Sequence, residues 1–138
     1  MSPEEVIKTA DEAVNKKGYK MLVLQSGMDL GYQDREIEAM VKGIKEKCRV
    51  FIFLSIGERP PKAYERFKKA GADGILFRFE TTNPNLYEKY HPGGINKGNK
   101  KNRFELLKKM KEMGYYIASG PLIGLPGQTI SDLADDIV

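Results

Sequence analysis

RVFIFLSIGERPPKAYERFKKAGADGILFRFE, residues 49–80, is the stretch on which the fold turns. It begins and ends with short apolar runs, FIFL and ILF, neither showing the polar alternation of a strand with one wet face. Between them PPKAYERFKKAG reads as a helix with prolines at its start and a glycine at its end. A buried strand, a helix and another buried strand make a parallel βαβ unit.

The same alternation continues in both directions. Upstream, Ser2 can cap a helix with Pro3 at its first position and Glu5 three residues on, giving an apolar face of Val6, Ile7, Ala10, Ala13 and Val14 that Gly18 ends. KMLVLQS then reads as a strand, and Asp34 opens a helix in which Ile37, Met40, Val41 and Ile44 recur at helical spacing. Downstream, GILFRFE reads as a third strand and two helical stretches follow near 84–91 and 100–113, separated by HPGGINKGNKK, a surface insertion rich in glycine and lysine. YYIASGPLIG is the fourth strand, leading to a helix that Thr129 can cap, with Ile130, Leu133, Ala134 and Ile137 as its inward face.

Four strands without polar alternation, separated by helices, imply an α/β fold with a parallel sheet covered on its faces, either a barrel or a doubly wound sheet. No G-x-G-x-x-G turn follows any strand, while chemistry-bearing residues sit at four strand ends: QSGMD, SIGE, RFET and SGPLIGLPGQ. A site assembled from several strand ends suits the C-terminal rim of a (β/α) barrel better than a single switch point. Arg78 and Glu80 then share one face of their strand at i, i+2, at that rim, as binding groups or as a structural ion pair. Four strands fall short of the eight that close a barrel. The expectation is a partial TIM-type barrel, with residues 1–138 its central part, lacking both the N-terminal unit and the C-terminal ones.

Composition excludes several classes. At 138 residues, 41% apolar and 30% charged, the chain suits one globular domain rather than a disordered or membrane chain. No apolar run approaches the roughly 20 residues that span a bilayer, and MSPEEVIKTADE lacks the features of a signal peptide, so a cytoplasmic location is expected. The net charge of +4 raises nucleic acid as a partner, yet Lys108, Lys109 and Lys111 fall opposite Leu106, Leu107, Met110 and Met113, and no aromatic platform is interleaved with them. Neither nucleic acid nor membrane is expected. One cysteine, Cys48, and one histidine, His91, supply no metal site by themselves; Cys48 reads as a small half-buried residue and His91 as the end of a helix.

LVLQSGMD, FLSIGE, FRFETTNPNLYEKYHPG, NRFELLKKMKEMGY and GPLIGLPGQTISDLADDI resemble, in order and spacing, the middle of radical SAM enzymes of the biotin synthase-like group, and most of all its FeFe-hydrogenase maturase branch. The resemblance implies a 4Fe-4S cluster, held by a three-cysteine loop that would precede Met1, which reduces S-adenosylmethionine (SAM) to methionine and a 5′-deoxyadenosyl radical acting on a small-molecule substrate. It implies hydrogenase maturation proteins as partners. Glu80 takes the place of a cofactor-binding glutamate and Arg103 that of the arginine whose planar fork grips the methionine carboxylate. Gly120, Ile123 and Gly124 take the place of the strand against which adenine lies, and Gly27, Ser55, Gly57 and Arg78 fall among the substrate-facing positions.

Three positions depart from the pattern. Met28 replaces an acid that binds the ammonium of the cofactor, which leaves Asp29 or backbone carbonyls to serve. Phe79 stands where the nearest relatives have histidine, and Gly74 where they have arginine, which weakens any internal anion site. Biotin synthase and methylornithine synthase chemistry fit the same stretch. Two alternatives lie outside the family: a non-radical barrel enzyme using Arg78, Glu80 and Arg103 on an anionic substrate, and a scaffold without a cofactor. With only Cys48, the chain by itself is expected to hold no cluster and to leave SAM uncleaved.

Overall fold

The computed structural model describes residues 1–27, 31–91 and 100–137. Along these the elements alternate as α1 (Pro3–Asp11), β1 (Met21–Gln25), α2 (Asp34–Lys47), β2 (Phe51–Ser55), α3 (Pro61–Ala70), β3 (Gly74–Leu76), α4 (Pro84–Tyr90), α5 (Lys100–Glu112), β4 (Tyr116–Ala118) and α6 (Ile130–Ile137). The helix starts obey local chemistry. Ser2 accepts from the Glu5 amide while the Glu5 carboxylate accepts from the Ser2 amide, a reciprocal capping box. At the start of α2 the Glu36 carboxylate accepts from the Gln33 amide at 2.7 Å, while the Glu36 amide donates to the Gln33 backbone carbonyl. A π-helical turn, Glu12–Lys16, prolongs α1 before Gly18 turns the chain at φ 78°.

The four strands form one parallel sheet in chain order, β1-β2-β3-β4. Its register sets Val23 beside Phe53, Phe53 beside Gly74 and Gly74 beside Tyr116. The next inward row holds Gln25, Ser55, Leu76 and Ala118.

The core lies between the sheet and its helices. Ile52, Leu54 and Ile75 are fully buried with Val41, Ile44, Tyr64, Phe67 and Met110 of α2, α3 and α5. The opposite face of the sheet is open: Met21, Val23 and Tyr116 remain 54%, 47% and 66% exposed. The expectation of a sheet covered on both faces is therefore corrected. Helices on one side only, with a parallel sheet in chain order, are the arrangement of a (β/α) barrel rather than a doubly wound sheet. On the open face Phe51 contacts both Phe53 and Tyr116, with ring centroids 5.2 and 5.3 Å apart. Gly74 lies under this cluster, and a Cβ there would overlap the Phe53 ring. The ring fills the place that a larger residue at 74 would claim.

Three sequence expectations change. GILFRFE is a strand only over Gly74–Leu76, resuming as an isolated bridge between Glu80 and Pro121. YYIASGPLIG is likewise a strand only over Tyr116–Ala118. The expected inward face of α6 points outward: Ile130 and Ile137 are 87% and 82% exposed, Ala134 is exposed and Leu133 half-buried, while Asp136 is buried. Asp136 accepts from the Thr82 backbone, from the Thr82 hydroxyl at 2.7 Å and from the Thr81 hydroxyl at 3.3 Å. Asp132 accepts from Asn83 Nδ2 at 2.7 Å. Polar contacts with the 81–83 loop thus decide which side of the helix docks.

Candidate functional site

The segments that follow β2 and β3 converge on Arg103. It comes from the first half of α5, a helix whose Lys108, Lys109 and Lys111 are exposed, yet it is only 6% exposed. Its Nε donates to Glu58 Oε1 at 2.7 Å, and its Nη1 to the Arg78 carbonyl at 2.8 Å and to Glu80 Oε1 at 3.1 Å. The guanidinium carbon lies 4.9 Å from the Phe77 ring centroid and 5.5 Å from that of Tyr87. Nη2 has no hydrogen-bond partner among the described residues, which leaves it as a donor edge toward an incoming anion.

Glu80 faces this guanidinium from a strained backbone. It is the one non-glycine residue with positive φ among the described residues, at 73°. Such a conformation costs on the order of 1–3 kcal/mol and persists where the surroundings hold it. Here the Leu122 amide donates to the Glu80 carbonyl at 2.6 Å, and the Glu80 amide points at the Gly120 carbonyl 3.4 Å away. The positive φ also breaks the strand alternation, so Arg78 and Glu80 do not pair across i, i+2: Glu80 pairs with Arg103, and the Arg78 side chain is exposed. Only the Arg78 carbonyl enters the cluster. One oxygen of Glu80 is engaged by Arg103, and the other receives no donor among the described residues.

Glu58 completes the cluster. It is 3% exposed and follows Gly57, which turns at φ 74° and whose carbonyl accepts from the Tyr64 hydroxyl at 2.6 Å. Sequence reasoning stopped at Ser55 and Gly57 in SIGE and passed over Glu58. The signal was present as an acid at a strand end one residue beyond a glycine. His91, read from the sequence as the end of a helix, is that and also reaches the cluster. It ends α4, stacks on Tyr87 with centroids 5.2 Å apart, and sets Nε2 3.8 Å from Glu80 Oε1.

The remaining expected residues are more scattered. Gly120 adjoins Glu80 through the backbone, and a Cβ on it would meet nothing within 4 Å, so that strip is open. Ile123, 78% exposed, and Gly124, at φ 90°, lie beyond it in a turn closed by Gln128, whose Oε1 accepts from the Gly124 amide at 2.8 Å. Ser55 pairs with Gln25 on the open face of the sheet, and Gly27 stands past the end of β1 with free space around it. Met28 and Asp29 lie outside the described residues.

Cys48 is far from the rim in chain terms, at the foot of β2. It is buried, its thiol is pushed up by burial, and Asn15 Nδ2 lies 3.8 Å from its sulfur. Among the described residues no group of three or more His, Cys, Asp or Glu could hold a metal ion. These residues do not fit an iron–sulfur cluster. The rim does fit a zwitterion: an open carboxylate oxygen for an ammonium and a free guanidinium edge for a carboxylate. No described helix is long and apolar enough to cross a membrane.

Comparison with known proteins gives a family match over residues 1–137, to the Radical SAM superfamily. The [FeFe] hydrogenase maturase subunit HydE of Thermotoga maritima is 46% identical over the whole chain, which spans 38% of that protein. A biotin synthase of Sulfurihydrogenibium sp. is 25% identical over 98% of the chain and 39% of its own length. The crystal structure of methylornithine synthase (PylB) superposes with a TM-score of 0.84 at 23% identity, over 95% of this chain and 38% of that one, a likeness of fold. The chain thus spans less than two fifths of the length of these relatives.

Proposed function

The chain belongs to the radical SAM superfamily, and from that premise we propose that it forms the central part of a radical SAM barrel and carries part of its SAM-binding rim. Glu80 accepts from the ammonium or ribose hydroxyls of SAM through its open oxygen. Arg103, held rigid by Glu58 and by the Phe77 and Tyr87 rings, presents Nη2 to the methionine carboxylate. The backbone around Gly120 offers a surface without side chains for the adenine. A 4Fe-4S cluster, whose ligands would come from outside these residues, would supply the one electron that divides SAM into methionine and a 5′-deoxyadenosyl radical. For the whole protein we propose a role in FeFe-hydrogenase cofactor maturation, supported by the 46% identity to HydE.

One observation carries the reading: a buried arginine shared between two carboxylates, one of which keeps an oxygen open at the strand rim. Calorimetry with S-adenosylhomocysteine, a stable analogue with the same ammonium and carboxylate, tests it. Measurable binding to the 138-residue chain is expected, weakened at least about tenfold in Glu80→Gln and in Arg103→Lys, the scale of one charge-assisted hydrogen bond. Absence of binding to the unaltered chain, or equal affinity in both variants, defeats it.

A further inference from the structure

His91 is the one histidine of the chain and lies where ligand charge would be received. Its amide donates to the Tyr87 carbonyl at 2.9 Å, which fixes it at the end of α4, and its ring stacks on Tyr87 at an interplanar angle of 18°. Nε2 lies 3.8 Å from Glu80 Oε1, while Nδ1 is buried without a hydrogen-bond partner among the described residues. Among the described residues two ionisable groups lie at the ring, Glu80 from beyond β3 and Tyr87 from its own helix. Arg103 of α5 is joined to both, 3.1 Å from Glu80 Oε1 and 5.5 Å from the Tyr87 ring centroid, and Glu58 is hydrogen-bonded to Arg103. Lys89 is placed over Tyr90 instead, 5.1 Å from that ring.

Arg103 is divided between Glu58 and Glu80, so Glu80 holds only a share of one positive charge. We propose that His91 is a second cation for Glu80 that competes with the ligand's ammonium, making binding at this rim depend on a neutral imidazole. The proposal rests on the reading of Glu80 as the acceptor of that ammonium. Neutral, His91 is too far from Glu80 for a hydrogen bond, and a ligand takes the carboxylate without breaking one. Protonated, it stands at ion-pair distance from a carboxylate that is 14% exposed, draws it in, and confronts an arriving ammonium with a like charge. The coupling is reciprocal: a ligand that favours the neutral form must lower the protonation of His91 by the same factor.

Because the chain has a single histidine, its imidazole C–H resonances can be followed by NMR without assignment. The unaltered chain is titrated from about pH 8 to about pH 5, the range in which imidazoles change charge, with and without saturating S-adenosylhomocysteine. The His91 midpoint is expected to fall by about one unit in the presence of ligand, the counterpart of a roughly tenfold coupling. By calorimetry, affinity should fall about tenfold on acidification of the unaltered chain and stay nearly level in His91→Gln. His91→Lys, with its permanent charge, should bind at least about tenfold more weakly than His91→Gln at every pH. An unmoved midpoint, or the same pH profile in the unaltered chain and His91→Gln, overturns the proposal. Binding that is lost in Glu80→Gln but indifferent to His91 overturns the competition alone, whereas no binding at all overturns the SAM rim with it.

Discussion

A single buried hydroxyl sets the geometry of the rim. Tyr64 is 1% exposed, burial pushes its phenol well above the usual tyrosine range, and it therefore stays a donor, to the Gly57 carbonyl, at any ordinary pH. That bond holds the turn from which Glu58 reaches Arg103. Tyr64→Phe keeps the edge-on packing against Phe67 and Tyr115 but leaves the carbonyl unpaired. A loss of about 1–2 kcal/mol in urea denaturation is expected, together with weaker binding of S-adenosylhomocysteine. Unchanged stability would show that the turn holds itself. At this scale the sequence was partly legible. Glu80 and Arg103 were named through a family resemblance, but the three-way hold on Arg103 was not, because Glu58 and Arg103 are far apart in the chain. A charge after a glycine reads locally as a turn, and an arginine in a lysine-rich helix reads as solvated; only the folded contact at 2.7 Å makes them a pair.

At the scale of elements, strands and helices were legible because period and caps are local properties, and α2 buries the four apolar residues that its spacing predicts. The facing of α6 was not. An amphipathic helix announces that it has two faces, but which one docks depends on what waits for it. Here Asp132 and Asp136 meet Asn83, Thr81 and Thr82. Asp132 also caps its own helix, accepting from the Thr129 amide and hydroxyl at 2.7 Å each. The Asn83 bond, followed by those from Thr129, holds its carboxyl below the ordinary aspartate range. A carboxylate whose value is lower in the folded chain than in the unfolded one stabilises the fold above the ordinary aspartate value, and that stabilisation is lost as pH falls through the lowered one. The unaltered chain should accordingly lose more stability than Asp132→Asn between about pH 5 and about pH 2, since the free group titrates near 4. Urea melts across that range check it, and parallel losses in the two proteins would assign the acid sensitivity elsewhere.

At the scale of the whole molecule, one face of the sheet and one face of α6 carry apolar side chains into solvent. Met21, Val23 and Tyr116 line the first, and Ile130 and Ile137 stand on the second, more than four fifths exposed. β1 and β4 lie at the edges of the described sheet, where backbone groups are open to pairing. Exposed apolar surface beside open strand edges favours association. The 138-residue chain is therefore expected to self-associate with rising concentration, which light scattering will register as a growing apparent mass. Ile130→Glu together with Ile137→Lys should reduce this association, while stability changes by no more than about 0.5 kcal/mol because neither side chain is buried in the fold. The double variant separates two sources of stickiness. If its association matches that of the unaltered chain, the α6 face takes no part, and the sheet, with its Phe51, Phe53 and Tyr116 cluster and its two edges, is the surface responsible.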